Sequence, residues 1–133
     1  MQLKIGQRYT RKEISGMLGG SIQLFLPEKN GKVVCGCFRE DETFNPGAPE
    51  EVLFGTDYYQ PAVERTAEMV YRQGQRGETI PIFMKRASAR WEYIGNYRCT
   101  ALLRDDTKLQ QKMKAHPQRG VITGILYFEK ADS

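Results

Sequence analysis

Two neighbouring segments decide the fold: Thr79-Ile80-Pro81-Ile82-Phe83-Met84-Lys85-Arg86 and Arg90-Trp91-Glu92-Tyr93-Ile94-Gly95-Asn96-Tyr97-Arg98. Each places large apolar side chains at every second position, which is the period of a β-strand. Because only Ala87-Ser88-Ala89 separates them, they predict a β-hairpin. Strict alternation puts Ile80, Ile82 and Met84 on one face of the first strand. In the second strand, continued to residue 103, it puts Trp91, Tyr93, Tyr97 and Cys99 on one side.

Helix signals lie on both sides of this hairpin. Thr10-Arg11-Lys12-Glu13 has the form of a capping box, and Gly19-Gly20 supplies the end of the short helix that it starts. Residues 58–73 carry the longest helical pattern of the chain. A polar helix is predicted from Asp105-Asp106-Thr107 to about Lys114.

The remaining segments predict further strands. Residues 21–26 and 32–38 are apolar runs separated by a turn with Asn30-Gly31, a strong hairpin signal. Residues 51–55 and 120–130 are also predicted as strands, and residues 39–50, with Pro46-Gly47-Ala48-Pro49, as a loop. The order α, β, β, loop, β, α, β, β, α, β predicts an α+β fold, a mostly antiparallel β-barrel with two or three flanking helices. Residues 1–133 fit one domain of ordinary size.

Composition allows an anionic partner without requiring one. Lys and Arg outnumber Asp and Glu by 20 to 16, giving a net charge of +4 and a pI near 9.0. The cations form short groups, either a phosphate-contacting face or ordinary solvated charge: Arg8/Arg11/Lys12, Lys85/Arg86/Arg90, and Lys108/Lys112/Lys114 with Arg119. The sequence has no apolar run of the ~18 residues that a membrane helix needs, and its start lacks the apolar region of a signal peptide. We therefore expect no membrane partner and a cytoplasmic location.

Motifs for catalysis, metals and cofactors are absent from the sequence. Cys35, Cys37 and Cys99 lack a fourth ligand for zinc, since His116 lies in a turn before Pro117, so we expect buried free thiols and neither metal nor cofactor. There is no phosphate-binding glycine loop and no nucleophile elbow. We expect a binding protein rather than an enzyme.

The hairpin is the segment with the clearest binding chemistry. Aromatic side chains follow a basic turn, and this combination suits nucleic acid, because bases stack on aromatic rings while Lys and Arg contact phosphates. The alternative is that these rings fill the barrel core, which we favour for Tyr97.

The sequence also resembles a known family. Gly6-Gln7-Arg8-Tyr9-Thr10-Arg11-Lys12-Glu13-Ile14, then Gly19-Gly20 with Gln23, then Gly55, a helix, and Ile82-Phe83 with Trp91-Glu92-Tyr93-Ile94-Gly95-Asn96-Tyr97 are similar to the SRA-like, PUA-superfamily modules of HNH-type modification-dependent restriction endonucleases. The resemblance covers roughly the first hundred residues. It implies a β-barrel with helices at its side, whose concave face holds a nucleotide base. In SRA domains this is a modified base flipped out of the duplex.

These observations give a hypothesis for a site at the rim formed by residues 39–48 and 85–93. Trp91 and Tyr93 would wall the pocket or stack on the base, and Arg39 and Asn45 would hydrogen-bond its edge. Phosphates would be contacted by Arg11, Lys12, Lys85, Arg86 and Arg90. DNA is favoured over RNA as partner, in a restriction or defence context.

Two other classes of function stay open. One is an accessory domain whose aromatic cleft binds a protein partner or a small ligand. The other is an enzyme acting on a nucleotide or nucleic acid, with Glu92 or an acid of the 40–42 segment as general acid or base.

Overall fold

A computed structural model of the chain describes residues 3–39, 45–55, 61–115 and 121–131. These residues form three helices and eight strands in the order β, α, β, β, β, β, α, β, β, α, β. The helices are α1 (Arg11–Leu18), α2 (Pro61–Gln75) and α3 (Asp106–Ala115). The strands are β1 (Arg8–Tyr9), β2 (Glu28–Lys29), β3 (Lys32–Val33), β4 (Gly36–Phe38), β5 (Glu51–Phe54), β6 (Ile80–Ala87), β7 (Arg90–Leu103) and β8 (Gly124–Lys130).

The main sheet has the strand order β4-β6-β7-β8-β5, and β1 pairs with the first residues of β7. All pairs are antiparallel except β4 with β6. The ring centroids of Phe38 on β4 and Phe128 on β8 lie 5.4 Å apart, although two strands separate β4 from β8. A flat sheet would hold these strands about 14 Å apart at ~4.8 Å per step, so the contact reflects a strong curl. The described strands thus form a curled half-barrel, which confirms the α+β class and the flanking helices but does not include a pairing that closes the barrel.

A β-bulge in β7 divides the strand between two layers. Ile82 pairs with Gly95 but Phe83 pairs with Tyr93, so β7 has one extra residue here, and Gly95 has φ of 123°. An extra residue turns the following side chains to the opposite face. The prediction that Trp91, Tyr93, Tyr97 and Cys99 share one side is therefore wrong. The first two lie on one face of the sheet and the last two on the other.

The two faces are covered by different helices. On the face that we call inner, α2 packs Val63, Ala67 and Val70 into the largest cluster, with Tyr97 and Cys99. On the outer face, α1 covers one end of the sheet and α3 the other. The outer cluster at the α1 end contains Tyr9, Ile14, Cys35, Cys37, Phe83, Trp91 and Tyr93. The cluster at the α3 end contains Leu53, Leu109, Ile122 and Ile125.

The ends of α1 follow the sequence signals. The N–H of Glu13 donates to Thr10 Oγ1 over 3.0 Å and the N–H of Thr10 donates to Glu13 Oε1 over 2.8 Å, which confirms the capping box. The predicted helix over residues 58–73 is confirmed as α2 from Pro61 onward, and its predicted first residues lie outside the described part of the chain.

Two of the predicted strands differ from the structure. The strand predicted over residues 32–38 is divided into β3, in a two-stranded sheet with β2, and β4, in the main sheet. The strand predicted over residues 21–26 is wrong. Residues 21–26 form turns, and the hairpin around Asn30-Gly31 joins β2 to β3 instead. The Ser21 hydroxyl accepts hydrogen bonds from the N–H groups of Gln23 (2.9 Å) and Leu24 (3.2 Å). Such local bonds offer the backbone an alternative to a strand ladder. As far as the described residues go, none of the three helices has the length and hydropathy of a bilayer span.

Candidate nucleic-acid interface

Cationic side chains converge at one end of the sheet, where β4 and β6 both finish. The parallel register pairs Phe38 with Met84, so Arg39 and Lys85 follow at the same level on neighbouring strands. The tight turn from β6 to β7 adds Arg86 and Arg90. We call Arg8, Arg39, Lys85, Arg86 and Arg90 the basic end. All except the half-buried Lys85 are exposed.

Glu92 organises part of this basic end. Its Oε1 atom accepts a hydrogen bond from Nε of Arg86 over 3.3 Å and lies 3.9 Å from Nε of Arg8. The carboxylate thus holds two guanidinium groups on opposite sides of β7. These ion pairs describe a positioning role, and the catalytic role considered for Glu92 stays a prediction.

Trp91 lies beside one cation of the basic end, Lys85. Its side chain belongs to the outer cluster and the residue is only 8% exposed. The guanidinium carbon of Arg11 lies 5.3 Å from the centre of the indole ring and Nζ of Lys85 lies 5.7 Å from it, both within cation–π distance. A ring so deeply buried can border a pocket only with an edge, and its role against a base stays a prediction.

Tyr93 is also buried in the outer cluster, where a ring contact and a hydrogen bond fix its side chain. Its ring lies 5.6 Å from that of Phe83, and its hydroxyl hydrogen-bonds Asn96 Oδ1 over 2.8 Å. Burial, and then the neighbouring Tyr9, raise the pKa of Tyr93. Its contacts are those of a core residue with a satisfied hydroxyl, and the predicted contact with a base is untested. Tyr97, 6% exposed in the inner cluster, is a core residue as we favoured.

Arg11 makes its hydrogen bonds within the protein. One Nη atom donates to the carbonyls of Ser21 (2.9 Å) and Leu24 (2.6 Å). Nε is buried and has no hydrogen-bond partner among the described residues. These contacts make Arg11 a positioning residue for the turn that follows α1. The phosphate contact predicted for it stays a prediction, as does that of Lys12, which is exposed one position further along the helix.

Asn45 lies beside β5, the edge strand at the opposite end of the sheet from β4. Its Oδ1 atom accepts a hydrogen bond from the N–H of Leu53, over 2.7 Å, and so caps the edge of β5. Arg39, by contrast, leaves the opposite edge strand, β4. The structure therefore brings Arg39 to the predicted hairpin and anchors Asn45 at β5. The acids of the 40–42 segment lie outside the described residues.

The three cysteines are buried and unpaired, as predicted. Cys35 and Cys37 place their Sγ atoms 4.0 Å apart in the outer cluster, whereas Cys99 lies in the inner cluster. The hydrogen bond between the first two thiols, together with burial, raises the pKa of Cys35. No three His, Cys, Asp or Glu side chains of the described ranges form a group that could hold a metal ion. His116 falls outside those ranges.

Sequence reasoning missed three residues that shape this region. Glu92 was considered as a catalyst and not as the partner of two arginines. Gln73 is 4% exposed in α2 and bonds both backbone groups of Val33, although its residue type predicts an exposed position. Ile22, 44% exposed, lies in a predicted strand that is in fact a turn. The Gly19-Gly20 pair before it was the available signal for that turn.

The described residues form a curled half-barrel with α2 on its inner face and α1 and α3 on its outer face. No protein-family model matches the sequence, and no curated protein matches it either. Two solved structures do match in fold, at sequence identities that show the fold alone.

The first solved structure is the SRA domain of SUVH5 in complex with hemimethylated CG DNA. It matches with a TM-score of 0.65 and 8% identity over 100% of this chain and 91% of that chain. The second is ScoMcrA, a type IV phosphorothioation-dependent restriction endonuclease. It matches with a TM-score of 0.55 and 10% identity over 100% of this chain and 29% of that chain. The SRA-like fold predicted from the sequence is therefore confirmed.

Proposed function

We propose that this chain is a DNA-binding module of the SRA type that recognises a modified nucleotide. The observation that carries the proposal is the basic end, where a parallel strand pair and a tight turn gather cations from separate parts of the sequence. The fold supports the same function, because one structural neighbour is bound to hemimethylated DNA and the other is a phosphorothioation-dependent enzyme.

In this proposal Lys85, Arg86 and Arg90 of the basic end contact phosphates. Arg86 and Arg90 are exposed, and the ammonium group of Lys85 is held near the Trp91 ring. Guanidinium groups suit phosphates because they donate in a planar fork. Contacts of this kind release counterions, so binding must weaken as salt rises.

The base itself would be held in a cleft of the half-barrel. We retain Trp91 and Tyr93 as walls of that cleft, and Arg39 and Asn45 as the groups that hydrogen-bond the edge of the base. A restriction or defence context and a cytoplasmic location belong to the same proposal.

The test is fluorescence anisotropy with short oligonucleotides over a salt series. Three DNA duplexes would be compared, one hemimethylated at a CG step, one carrying a phosphorothioate linkage and one unmodified, together with single-stranded DNA and duplex RNA. We expect tighter binding to one modified duplex and an affinity that falls as salt rises. Equal affinity for all duplexes would contradict recognition of a modification, and an affinity independent of salt would contradict phosphate contact.

A pair of triple variants localises the interface. Lys85→Gln, Arg86→Gln and Arg90→Gln together remove three charges from the basic end. The control, Arg72→Gln, Lys108→Gln and Lys114→Gln, removes the same charge from exposed positions on α2 and α3. Each phosphate contact that a variant removes should reduce the slope of log K against log salt by about 0.9. If both triple variants reduce the slope equally, the basic end is not the interface.

A further inference from the structure

Two thiols lie side by side in the outer cluster. The Sγ atoms of Cys35 and Cys37 are 4.0 Å apart, and the two residues are 0% and 2% exposed. The backbone that carries them is fixed, because the N–H of Cys37 donates to the Phe25 carbonyl over 2.8 Å and Cys37 pairs with Phe83 in the sheet. The fold therefore presents two soft sulfur ligands at a set spacing. We call Cys35 and Cys37 the thiol pair.

The Arg11 side chain brings a positive charge to the thiol pair. The hydrogen bond from the Cys35 thiol and, after it, the Arg11 charge lower the pKa of Cys37 against the effect of burial. Nε of Arg11 is buried without a hydrogen-bond partner among the described residues. A buried charge is favourable only beside an opposite charge. By residue type the thiols are the most readily ionised groups of the outer cluster, so the anion that suits Arg11 is a thiolate.

A soft monovalent metal ion fits these groups in ligand type and in charge. Thiolate sulfur selects soft ions such as Cu(I), whereas a structural zinc ion takes four ligands. Cu(I) and Ag(I) are satisfied by two. Two thiolates and one monovalent ion carry one net negative charge, which the single positive charge of Arg11 cancels. A divalent ion on the same pair would leave the Arg11 charge buried and uncompensated.

The spacing of the thiol pair suits a bridging ion better than a disulfide. With metal–sulfur bonds of about 2.3 Å, sulfur atoms 4.0 Å apart enclose an S–metal–S angle of about 120°, and an outward movement of about 0.3 Å by each makes it linear. Residues two apart in an extended chain have Cα atoms about 6.6 Å apart, close to the limit of ~6.8 Å for a disulfide. A disulfide is also neutral and would leave Arg11 unpaired.

We propose that Cys35 and Cys37 bind one soft monovalent metal ion of the Cu(I) and Ag(I) class as a bis-thiolate, with the Arg11 guanidinium as its counter-charge. Each thiol loses its proton to solvent as its metal–sulfur bond forms, so two protons leave for each ion bound. The ion enters by local opening of α1, a helix of only eight residues that covers the pair. The proposal goes beyond DNA binding and does not depend on it.

The test adds Ag(I), which needs no reductant, to the reduced protein in chloride-free buffer with a large excess of glutathione as competing monothiol. Trp91 is the single tryptophan of the chain and lies in the outer cluster, so its fluorescence reports on binding there. We expect one ion per chain by native mass spectrometry, retained against glutathione, with quenching of Trp91. X-ray absorption should show two sulfur ligands for each silver ion.

Single substitutions locate the site. Cys35→Ser and Cys37→Ser should each weaken Ag(I) binding about 10²–10⁴-fold, because the second ligand of a linked pair acts at a high effective concentration. Cys99→Ser is the matched control, since it removes a buried thiol of the inner cluster and should leave the affinity unchanged. Arg11→Lys keeps the positive charge and should bind Ag(I) more tightly than Arg11→Met. Circular dichroism of the metal-free variants shows that they are folded.

Two results would overturn the proposal. One is a wild-type protein that yields its silver ion to glutathione, and the other is a Cys99→Ser variant that loses as much affinity as Cys35→Ser. If the serine variants of the thiol pair do not fold, retention of the ion by the wild-type protein and the number of its sulfur ligands decide the question. DNA enters none of these measurements, so failure of the proposed function would leave the metal site standing.

Discussion

Gln73 offers the sharpest test of how the half-barrel is assembled. Its side-chain amide reproduces a strand pairing, because Val33 donates its N–H to Gln73 Oε1 over 2.8 Å and Gln73 Nε2 donates to the Val33 carbonyl over 3.1 Å. Both residues are buried, at 4% and 2% exposure. In this way α2 is joined to the β2–β3 hairpin, 40 residues earlier in the chain.

Gln73→Met keeps the size of the side chain and removes both hydrogen bonds. Leaving a buried backbone group unpaired costs about 1–3 kcal/mol, so two groups cost about 3 kcal/mol once some water reaches them. Unfolding entropy is about 2.1 cal/mol/K per residue. For a chain of 133 residues that cost corresponds to a fall of about 10 °C in Tm.

The assay is thermal unfolding followed by far-UV circular dichroism, with urea unfolding as a second measurement of the free energy. Gln75→Met is the matched control, since within the described residues the Gln75 amide bonds only the exposed Tyr71 hydroxyl, over 2.8 Å. It should change stability by less than about 0.5 kcal/mol. If the two variants melt together, the amide of Gln73 does not join α2 to β3 as we argue.

Three further predictions concern other parts of the structure and use the same unfolding assays. A Cβ atom on Gly74 would lie 1.9 Å from the Cys99 carbonyl oxygen, so Gly74→Ala should lower the free energy of unfolding by about 3 kcal/mol. Gly16 lies in the middle of α1 with open space around it, so Gly16→Ala should raise that free energy by about 0.5–1 kcal/mol. Burial raises the pKa of Cys99 to about 11. Because the unfolded thiol ionises near ~8.5, stability should fall as pH rises through this interval and Cys99→Ala should flatten that fall. Asn45→Ala should cost about 1 kcal/mol by removing the acceptor for Leu53, whereas Asn45→Asp keeps it and should stay near wild type.

The sequence predicted correctly those helix ends, turns and strands that depend on residues close together in the chain. The capping box at Thr10, the turn between β6 and β7 and the ends of the long hairpin strands depend on residues within a few positions of each other. They are found where the sequence puts them. Asn30-Gly31 is also a turn, but the strand before it is Glu28–Lys29, later in the chain than the apolar run over residues 21–26 indicated.

The features that were missed depend on distant partners. The bulge at Gly95 is required by the pairing of β7 with β6, and alternation within β7 alone does not reveal it. The parallel pairing of β4 with β6 joins segments separated by more than 40 residues, and it is what places Arg39 beside Lys85. Gln73 is polar and yet buried because its partners are backbone groups of another element.

Trp91 shows how the fold and the proposed function depend on the same residue. The sequence indicated a ring that stacks on a base, and the structure buries that ring to 8% exposure. Two cations nevertheless lie near it: Arg11, which bonds the carbonyls of Ser21 and Leu24, and Lys85, which belongs to the basic end. A cation near an indole gains about 0.5–2 kcal/mol, enough to restrict where a long side chain places its charge. In the proposed function Trp91 would therefore act in two ways, as a wall of the cleft and by fixing the positions of Arg11 and Lys85 from within the outer cluster.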